Sequence, residues 1–283
     1  MAYYLDLMIS HAYLAGIILA GIIVAFIVKA DDRKARIKNG FVAMVICTAA
    51  LFAMGVMSGK LAPMGQDTMR LISLNANKAS DDVTDKVSLA LNNGAHIVGF
   101  VEARKDFYNL MSYKARNILH KTYPHATYTP LEYPLSEPEG MILLSKFPFK
   151  MVKVIDHQAV IYKVRGPKSD FYLVQAHALA PTNTERLERR NKLLKTLASL
   201  KVNLPIVMMG DFNTAPWQAP LTDIVTAQQL KFTQKWKPTW PVILPIIPLD
   251  FVLASEGFEV MNAIHQKVSG AEHLAVIADL KQN

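Results

Sequence analysis

Hydrophobic positions follow two different regimes along the chain. In the first sixty residues they are continuous. Ile9–Val28 reads ISHAYLAGIILAGIIVAFIV and Phe41–Met57 reads FVAMVICTAALFAMGVM, with no charged side chain in either. Runs of 20 and 17 residues approach the ~20 that a helix needs to cross a hydrocarbon layer ~30 Å thick. A helix buried in a soluble core would be apolar along one stripe rather than all round. A cleavable leader would open on basic residues, yet no Lys or Arg precedes Lys29 and Asp6 stands near the start. The pattern therefore predicts two transmembrane helices, about 9–28 and 41–57, within a unit spanning 1–60. The segment between them, KADDRKARIKNG, concentrates Lys29, Arg33, Lys34, Arg36 and Lys38. Basic loops stay on the cytoplasmic side, which places everything beyond the second run outside the cytoplasm.

A break at 61–69, punctuated by Pro63 and Gly65, leads into the second regime at about residue 70, which runs to 283. Here short apolar stretches alternate with amphipathic ones. RLISLNAN, HIVGFVE, GMILLS, MVKVI, AVIYKV, FYLVQAH, PIVMMGDF, PLDFVLAS and HLAVIADL read as strands. Asp81 or Asp82 is placed to cap a helix facing inward through Val83, Val87, Ala90 and Leu91 and ended by Gly94. A second helix has Phe107, Leu110, Met111, Ile118 and Leu119 inside. A third, Thr184–Lys201, faces in through Leu187, Leu194, Leu197 and Leu200. Strands in adjacent runs with helices between others predict an α/β fold, sheets covered by helices on their outer faces.

Composition narrows the class further. At 283 residues and 51% hydrophobic the chain has too much apolar surface to stay disordered. Its single Cys47 excludes an internal disulfide scaffold. Of the 31 Lys+Arg and 23 Asp+Glu, 25 and 20 fall within 61–283, a net of +5. A mildly basic surface attracts polyanions, nucleic acid or anionic headgroups alike. The segment WKPTWPVILPIIP is apolar and proline-rich, with Trp236 and Trp240 near its start. It reads as a loop packed beneath the neighbouring strand ends, the alternative being a segment that dips into a bilayer.

The chemistry gathers where strands end. Asn75 closes the first strand, Glu102 the second and His177 closes FYLVQAH. Asp211 and Asn213 close PIVMMGDFN, Asp250 opens the DFVLA run, and Glu272–His273 precedes the last strand. Carboxylate and amide oxygens suit a hard divalent cation, while two histidines without cysteine argue against structural zinc. GDFNTAPW, the strand-end Asn, Glu and His, and the terminal acid–His pair, in this order, resemble the endonuclease/exonuclease/phosphatase superfamily. The resemblance covers about Arg70 to Leu280 and is closest to bacterial members with two membrane spans ahead of the catalytic domain.

That resemblance implies a DNase I-like four-layer α/β sandwich preceded by a transmembrane hairpin. It also implies a divalent-metal-dependent phosphodiester hydrolase, with Mg²⁺ or Mn²⁺ as cofactor. Glu102 matches the principal metal-binding carboxylate, Asn75 the amide beside it, and Glu272 an acid at or behind the metal. Asp211 matches the base for the attacking water, which Asn213 helps hold. His177 and His273 match the pair on the scissile phosphate, and Asp250 the carboxylate that orients His273. Arg104 stands where some deoxyribonucleases carry an arginine that contacts substrate. Val101 replaces the usual Gln, Phe251 a frequent His, and Glu272 the usual Asp. A nuclease-like substrate is expected first. A phospholipid or small phosphoester, as in sphingomyelinases, is the alternative, and a catalytically inactive membrane-tethered binding domain a remote third. The implied location is the bacterial inner membrane, catalytic domain outside the cytoplasm, with the bilayer and a phosphodiester as partners. The sequence points to no protein partner.

Overall fold

The computed structural model describes residues 61–283 apart from 62, 63, 66, 81, 82, 115, 132–138 and 235. The apolar runs at 9–28 and 41–57 and the basic loop lie outside the described residues. Among the described residues no helix is long and apolar enough to cross a membrane. In chain order the elements are β1 (Thr68–Asn75), α1 (Thr84–Asn92), β2 (Ile97–Arg104), α2 (Lys105–Lys114), α3 (Arg116–Thr122), β3 (His125–Leu131) and β4 (Glu139–Ser145). They continue with β5 (Phe149–Ile155), β6 (Ala159–Arg165), β7 (Asp170–His177), α4 (Thr184–Ala198), β8 (Ile206–Asp211) and α5 (Ala219–Ala227). The last four are β9 (Lys231–Phe232), β10 (Asp250–Ala254), β11 (Phe258–Gln266) and β12 (Ala275–Gln282).

The strands form two six-stranded sheets, ordered β11-β12-β1-β2-β4-β3 and β5-β6-β7-β8-β10-β9. Each is built around one parallel pair, β1–β2 and β7–β8, with its other neighbours antiparallel. A parallel pair needs a crossover, which α1 and α4 supply. Strand alternation then sorts the side chains. Met69 and Leu71 of β1 and Val207 and Met209 of β8 point between the sheets into one core. Ile72 and Leu74 point outward against Leu89 of α1, Phe107 of α2 and Leu119 of α3. Ile206 and Met208 face Leu193, Leu194 and Leu197 of α4 and Leu221 of α5. The result is four layers, helix–sheet–sheet–helix.

Several local expectations change. β3 and β11 are edge strands that the apolar pattern leaves out. One carries Pro130, which an edge tolerates, and the other is broken by a bulge between Val260 and Asn262. The helix expected through 107–119 is two helices, and Ile118 is exposed rather than inside. α1 has Val83 at its N-cap with no side-chain cap, and Lys86 is buried on its face. α4 ends at Ala198, where the Ser199 N–H turns back onto the carbonyls of Lys195 and Thr196.

β1 and β12 are locked by a buried ion pair in register. The Arg70 guanidinium donates to both Asp279 oxygens at 2.6 and 2.8 Å and to the Asn93 carbonyl at 2.9 Å, tying in the end of α1. Removing the acid leaves a buried, uncompensated guanidinium. Asp279→Ala should therefore cost about 3–5 kcal/mol, read as a lowered midpoint in urea unfolding.

Two histidines outside the strand-end cluster are held neutral. Burial, then Lys146 and Arg70, lowers His96 to about 4, and its Nδ1 accepts the Arg70 N–H. Burial, then Lys237, lowers His265 to about 3. Both pKa values lie below the ordinary 6.5, so the unfolded chain binds these protons first. Stability is full above pH ~6.5 and declines as pH falls from there toward ~3–4. Urea titrations at pH 7 and pH 5 should show the drop, and His265→Leu should flatten it.

Candidate active site

Three adjacent strands bring three groups side by side. His177 on β7 pairs in register with Asp211 on β8, and Asp211 with Asp250 on β10. Residues level with one another on neighbouring strands point to the same face, here the gap between the sheets. The glycine of GDFN has a steric reason. Gly210 has φ +139°, and a Cβ there would sit 1.8 Å from the Ala176 carbonyl oxygen. Only glycine lets β8 lie this close to β7 just ahead of Asp211.

Glu102 reaches the same place by a bulge. Along β2, Ile97 and Val101 face the inner core, while Val98, Phe100 and then Ala103 face outward. Strict alternation would send Glu102 outward with Phe100. Instead the pairing with β4 slips between Phe100 and Ala103, and Glu102 takes φ +51°. The extra residue turns its carboxylate inward, as bulges beside sites do. There Oε1 lies 3.2 Å from His177 Nε2 and accepts the Asn75 amide at 3.0 Å, while no hydrogen bond falls on Oε2.

Gln175 supports this bulge from the other sheet. It sits two residues before His177 on the same face of β7 and is buried. Its Nε2 donates to the Phe100 carbonyl at 2.9 Å and the Ile142 carbonyl at 3.1 Å, the pair just before the slip, while its own Oε1 stays without a partner. Gly99 makes room: a Cβ there would meet Met209 Cε at 2.5 Å and Gln175 Nε2 at 3.0 Å.

Asn75 is a junction. Its Oδ1 accepts the Asn77 N–H at 3.0 Å, which fixes the amide so that Nδ2 donates to Glu102 and, at 3.2 Å, to Asp211 Oδ2. It orients two carboxylates, and its oxygen is committed to backbone. Asn213, at φ +44°, holds Asp211 Oδ1 by its backbone N–H at 2.8 Å, while its side-chain amide donates to the Ala178 carbonyl. Its own carbonyl accepts from Arg190, a fully buried arginine of α4. Asp250 Oδ2 lies 2.7 Å from His273 Nδ1, which reserves His273 Nε2 for whatever enters. The Thr239 hydroxyl accepts the Leu249 and Asp250 N–H groups and seats the start of β10.

Electrostatics follows from crowding. Burial, with Asp250 alongside, pushes the Asp211 carboxyl up, against the pull of His273 and His177. Burial disfavours a charged His273, but Asp250 and Asp211 overcome it and hold the imidazolium well above the usual histidine range. His177 is likewise raised against its burial, chiefly by the Glu102 hydrogen bond and charge. Burial of Glu102 is outweighed by His177 and Asn75, which hold its carboxyl down to about 2. At neutral pH the site holds an anionic Glu102, two histidines biased toward imidazolium, and one carboxylate shifted toward the range of a general base.

A cation has two sets of donors. Oxygen and nitrogen atoms of Asp211, Asp250 and His273 lie within 4.8 Å of one another, and Asp250 Oδ1 is a buried oxygen without a hydrogen-bond partner. Glu102 offers an ionised oxygen beside a small cleft that it lines with Asn77, Lys78, Ser80, Lys86, Arg104 and Asp106. The carboxylate oxygens of both sets suit a hard divalent ion, whereas His273, held as imidazolium against Asp250, has no lone pair to offer one. Glu272 stands apart. It is exposed, its carboxylate accepts the Asn77 amide at 3.3 Å, and its carbonyl accepts the Val242 N–H. Arg104 lines the cleft, yet its guanidinium is paired with Asp106. The structure thus unites Asn75, Glu102, His177, Asp211, Asp250 and His273, with Asn213 behind them. Gln175 and Thr239 give no site signal in the sequence beyond the place of Gln175, two positions before the strand-end histidine on the same face. Arg190, which stands in a basic stretch that reads as a solvated helix face, is instead fully buried against Asn213.

Residues 72–271 match the model of the Endonuclease/Exonuclease/phosphatase family, and the chain belongs to that family. In fold it is similar to an endonuclease/exonuclease/phosphatase from Beutenbergia cavernae, at 17% identity and TM-score 0.61, over 77% of this chain and 72% of that one. The human Nocturnin catalytic domain is similar at 18% identity and TM-score 0.59, over 77% and 96%. A D. rerio TDP2 complexed with single-strand DNA product follows at 12% and 0.56, over 76% and 99%. No curated protein matches the sequence. Family members are hydrolases of phosphoester bonds that typically use a divalent metal.

The bulge clamp has a measurable consequence. Gln175→Leu removes two buried hydrogen bonds together with the unpartnered Oε1, so it should cost about 1–3 kcal/mol in stability. Phosphoester hydrolysis should also fall at least tenfold in kcat, because Glu102 is no longer held inward. A folded variant that keeps full kcat would show that the clamp is dispensable.

Proposed function

We propose that the protein is a divalent-metal-dependent phosphodiester hydrolase, held at a membrane by its two N-terminal apolar runs with the catalytic domain outside the cytoplasm. The observation that carries the reading is the convergence of Asp211, Asp250, His273, His177 and Glu102 in one buried cluster. A cation bound at Glu102, Mg²⁺ or Mn²⁺, would offset charge on the phosphoryl oxygens. Asp211, raised by burial and held by the Asn213 N–H, takes the proton of the attacking water. The imidazolium of His273, oriented through Nδ1 by Asp250, donates from Nε2 to a phosphoryl oxygen, with His177 on the other side. Charge that develops during attack thus meets donors already in place.

Nucleic acid is the substrate that the resemblance, with Arg104 in it, puts first, while the net charge suits nucleic acid and anionic headgroups alike. Two observations favour the phospholipid reading instead. Arg104 is paired with Asp106, and the connection between β9 and β10, beside His273, exposes Ile243 and Leu244. The expected packing of that segment holds along both of its arms, where Pro238, Thr239, Ile247 and Pro248 are buried, and not at Ile243 and Leu244.

Hydrolysis of bis(p-nitrophenyl) phosphate, a soluble diester indifferent to either polymer or lipid, tests the chemistry. Chelation should abolish it and Mg²⁺ restore it. Asp211→Asn should lower kcat by about 10²–10⁴-fold, the usual worth of a positioned base. Metal-independent hydrolysis, or full activity in Asp211→Asn, would overturn the assignment.

A further inference from the structure

The mouth of the site has two unlike walls. On one side the connection from β9 to β10 forms a narrow hairpin closed by the Trp240–Ile247 bridge. The Ile246 and Ile247 N–H groups bond to the Trp240 carbonyl, and the Leu244 N–H turns back to that of Pro241. Its base is fastened beside the catalytic pair. Val242 N–H donates to the Glu272 carbonyl at 2.7 Å, the Leu274 N–H to that of Thr239, and the Trp240 ring lies 6.5 Å from that of His273. The turn is pinned at Leu244, yet its tip side chains are not covered: Ile243 is 89% and Leu244 52% exposed. Trp236, ahead of the hairpin, is 58% exposed while stacked on Trp217. Two adjacent apolar side chains projecting from a fastened turn offer an interaction surface.

The opposite wall is polar. It is the small cleft lined by Asn77, Lys78, Glu102, Arg104 and Asp106, its cations paired within the wall, Lys78 with Glu139 and Arg104 with Asp106, and it is linked to the hairpin. The Asn77 amide bonds to the Glu272 side chain while Val242 bonds to the Glu272 backbone. A phosphoryl group bound between His177 and His273 would therefore have a polar wall on one side and an apolar tip on the other.

We infer that the hairpin tip docks into a lipid bilayer surface and that the diester hydrolysed is an amphiphilic lipid of that surface, its headgroup entering the cleft and its apolar part staying toward Ile243 and Leu244. The inference rests on the phosphodiesterase reading and on the apolar runs at 9–28 and 41–57, which bring a bilayer to this domain. Burying Ile243 and Leu244 contributes about 1.5–3 kcal/mol each, Trp236 suits the interfacial belt, and a net of +5 over 61–283 suits anionic headgroups.

The full chain, with Cys47→Ser, is reconstituted in phosphatidylcholine–phosphatidylglycerol vesicles and carries an environment-sensitive fluorophore at Ile243→Cys or, for comparison, at exposed Met261→Cys on β11. Nitroxide-labelled phospholipids should quench the probe at 243 several-fold more than at 261. Equal, weak quenching at both positions would overturn docking, whatever the enzyme hydrolyses. Separately, Ile243→Glu/Leu244→Glu should lower kcat/KM on the vesicle phospholipids at least tenfold and leave bis(p-nitrophenyl) phosphate hydrolysis within twofold of the parent. Equal loss on both substrates would overturn a role for the tip in lipid access. Nicking of plasmid DNA with the vesicle phospholipids untouched would overturn the lipid substrate in favour of nucleic acid. A parent inactive on the soluble diester would fail the phosphodiesterase reading alone, because the quenching result stands without it.

Discussion

Two carboxylates placed level on paired strands and shut away from water set the terms for the rest of this site. Asp211 and Asp250 are both almost wholly buried, and burial with the Asp250 charge alongside raises the cost of ionising Asp211. Every neighbour answers that cost. His273 sits against Asp250 and near Asp211, the Asn213 N–H and the Asn75 amide donate to Asp211, and His177 lies beside it in register. A buried polar cluster of this kind is stable only if its members satisfy one another. The shortfall, an Asp250 oxygen without a partner, is where an incoming cation would find an anionic oxygen.

The backbone carries as much of the design as the side chains. Glu102, Asn213 and Asn77 all take positive φ, conformations that cost energy outside glycine and concentrate where a site must aim a group. At Glu102 the strain belongs to a bulge that reverses which face the residue presents, and Gln175 reaches across from the second sheet to hold it. The two sheets are thus joined by more than apolar packing. A hydrogen-bonding side chain from one sheet sets the position of a carboxylate on the other.

Around this shared centre the rims differ. Members of one family can keep the same phosphoryl chemistry and change only what surrounds it, because the groups on the phosphate come from strand ends and those on the substrate's flanks from connections. Here the flanks are a cleft lined by polar and paired charged side chains and an apolar hairpin, linked through Asn77, Glu272 and Val242.

Much was legible in the sequence, and for physical reasons. A parallel or buried strand shows as an apolar run, and a polar residue at its end shows as a break in that run. β1, β2, β7, β8, β10 and β12 and the residues Asn75, Glu102, His177, Asp211, Asp250 and His273 could therefore be found from pattern and order alone. Strands β3 and β11 lack that contrast, one carrying Pro130 and the other broken by a bulge between Val260 and Asn262, and they went unseen. What only the tertiary structure decided depends on pairing between distant segments. The bulge at Glu102 exists in the slip against β4, and the role of Gln175 in its reach to another sheet. The commitment of Arg104 to Asp106 lies in side-chain geometry, and the exposure of Ile243 in what fails to cover it. Residue types and spacing encode which groups a strand end carries. Register and burial, which arise only when the sheets close on each other, determine where those groups point.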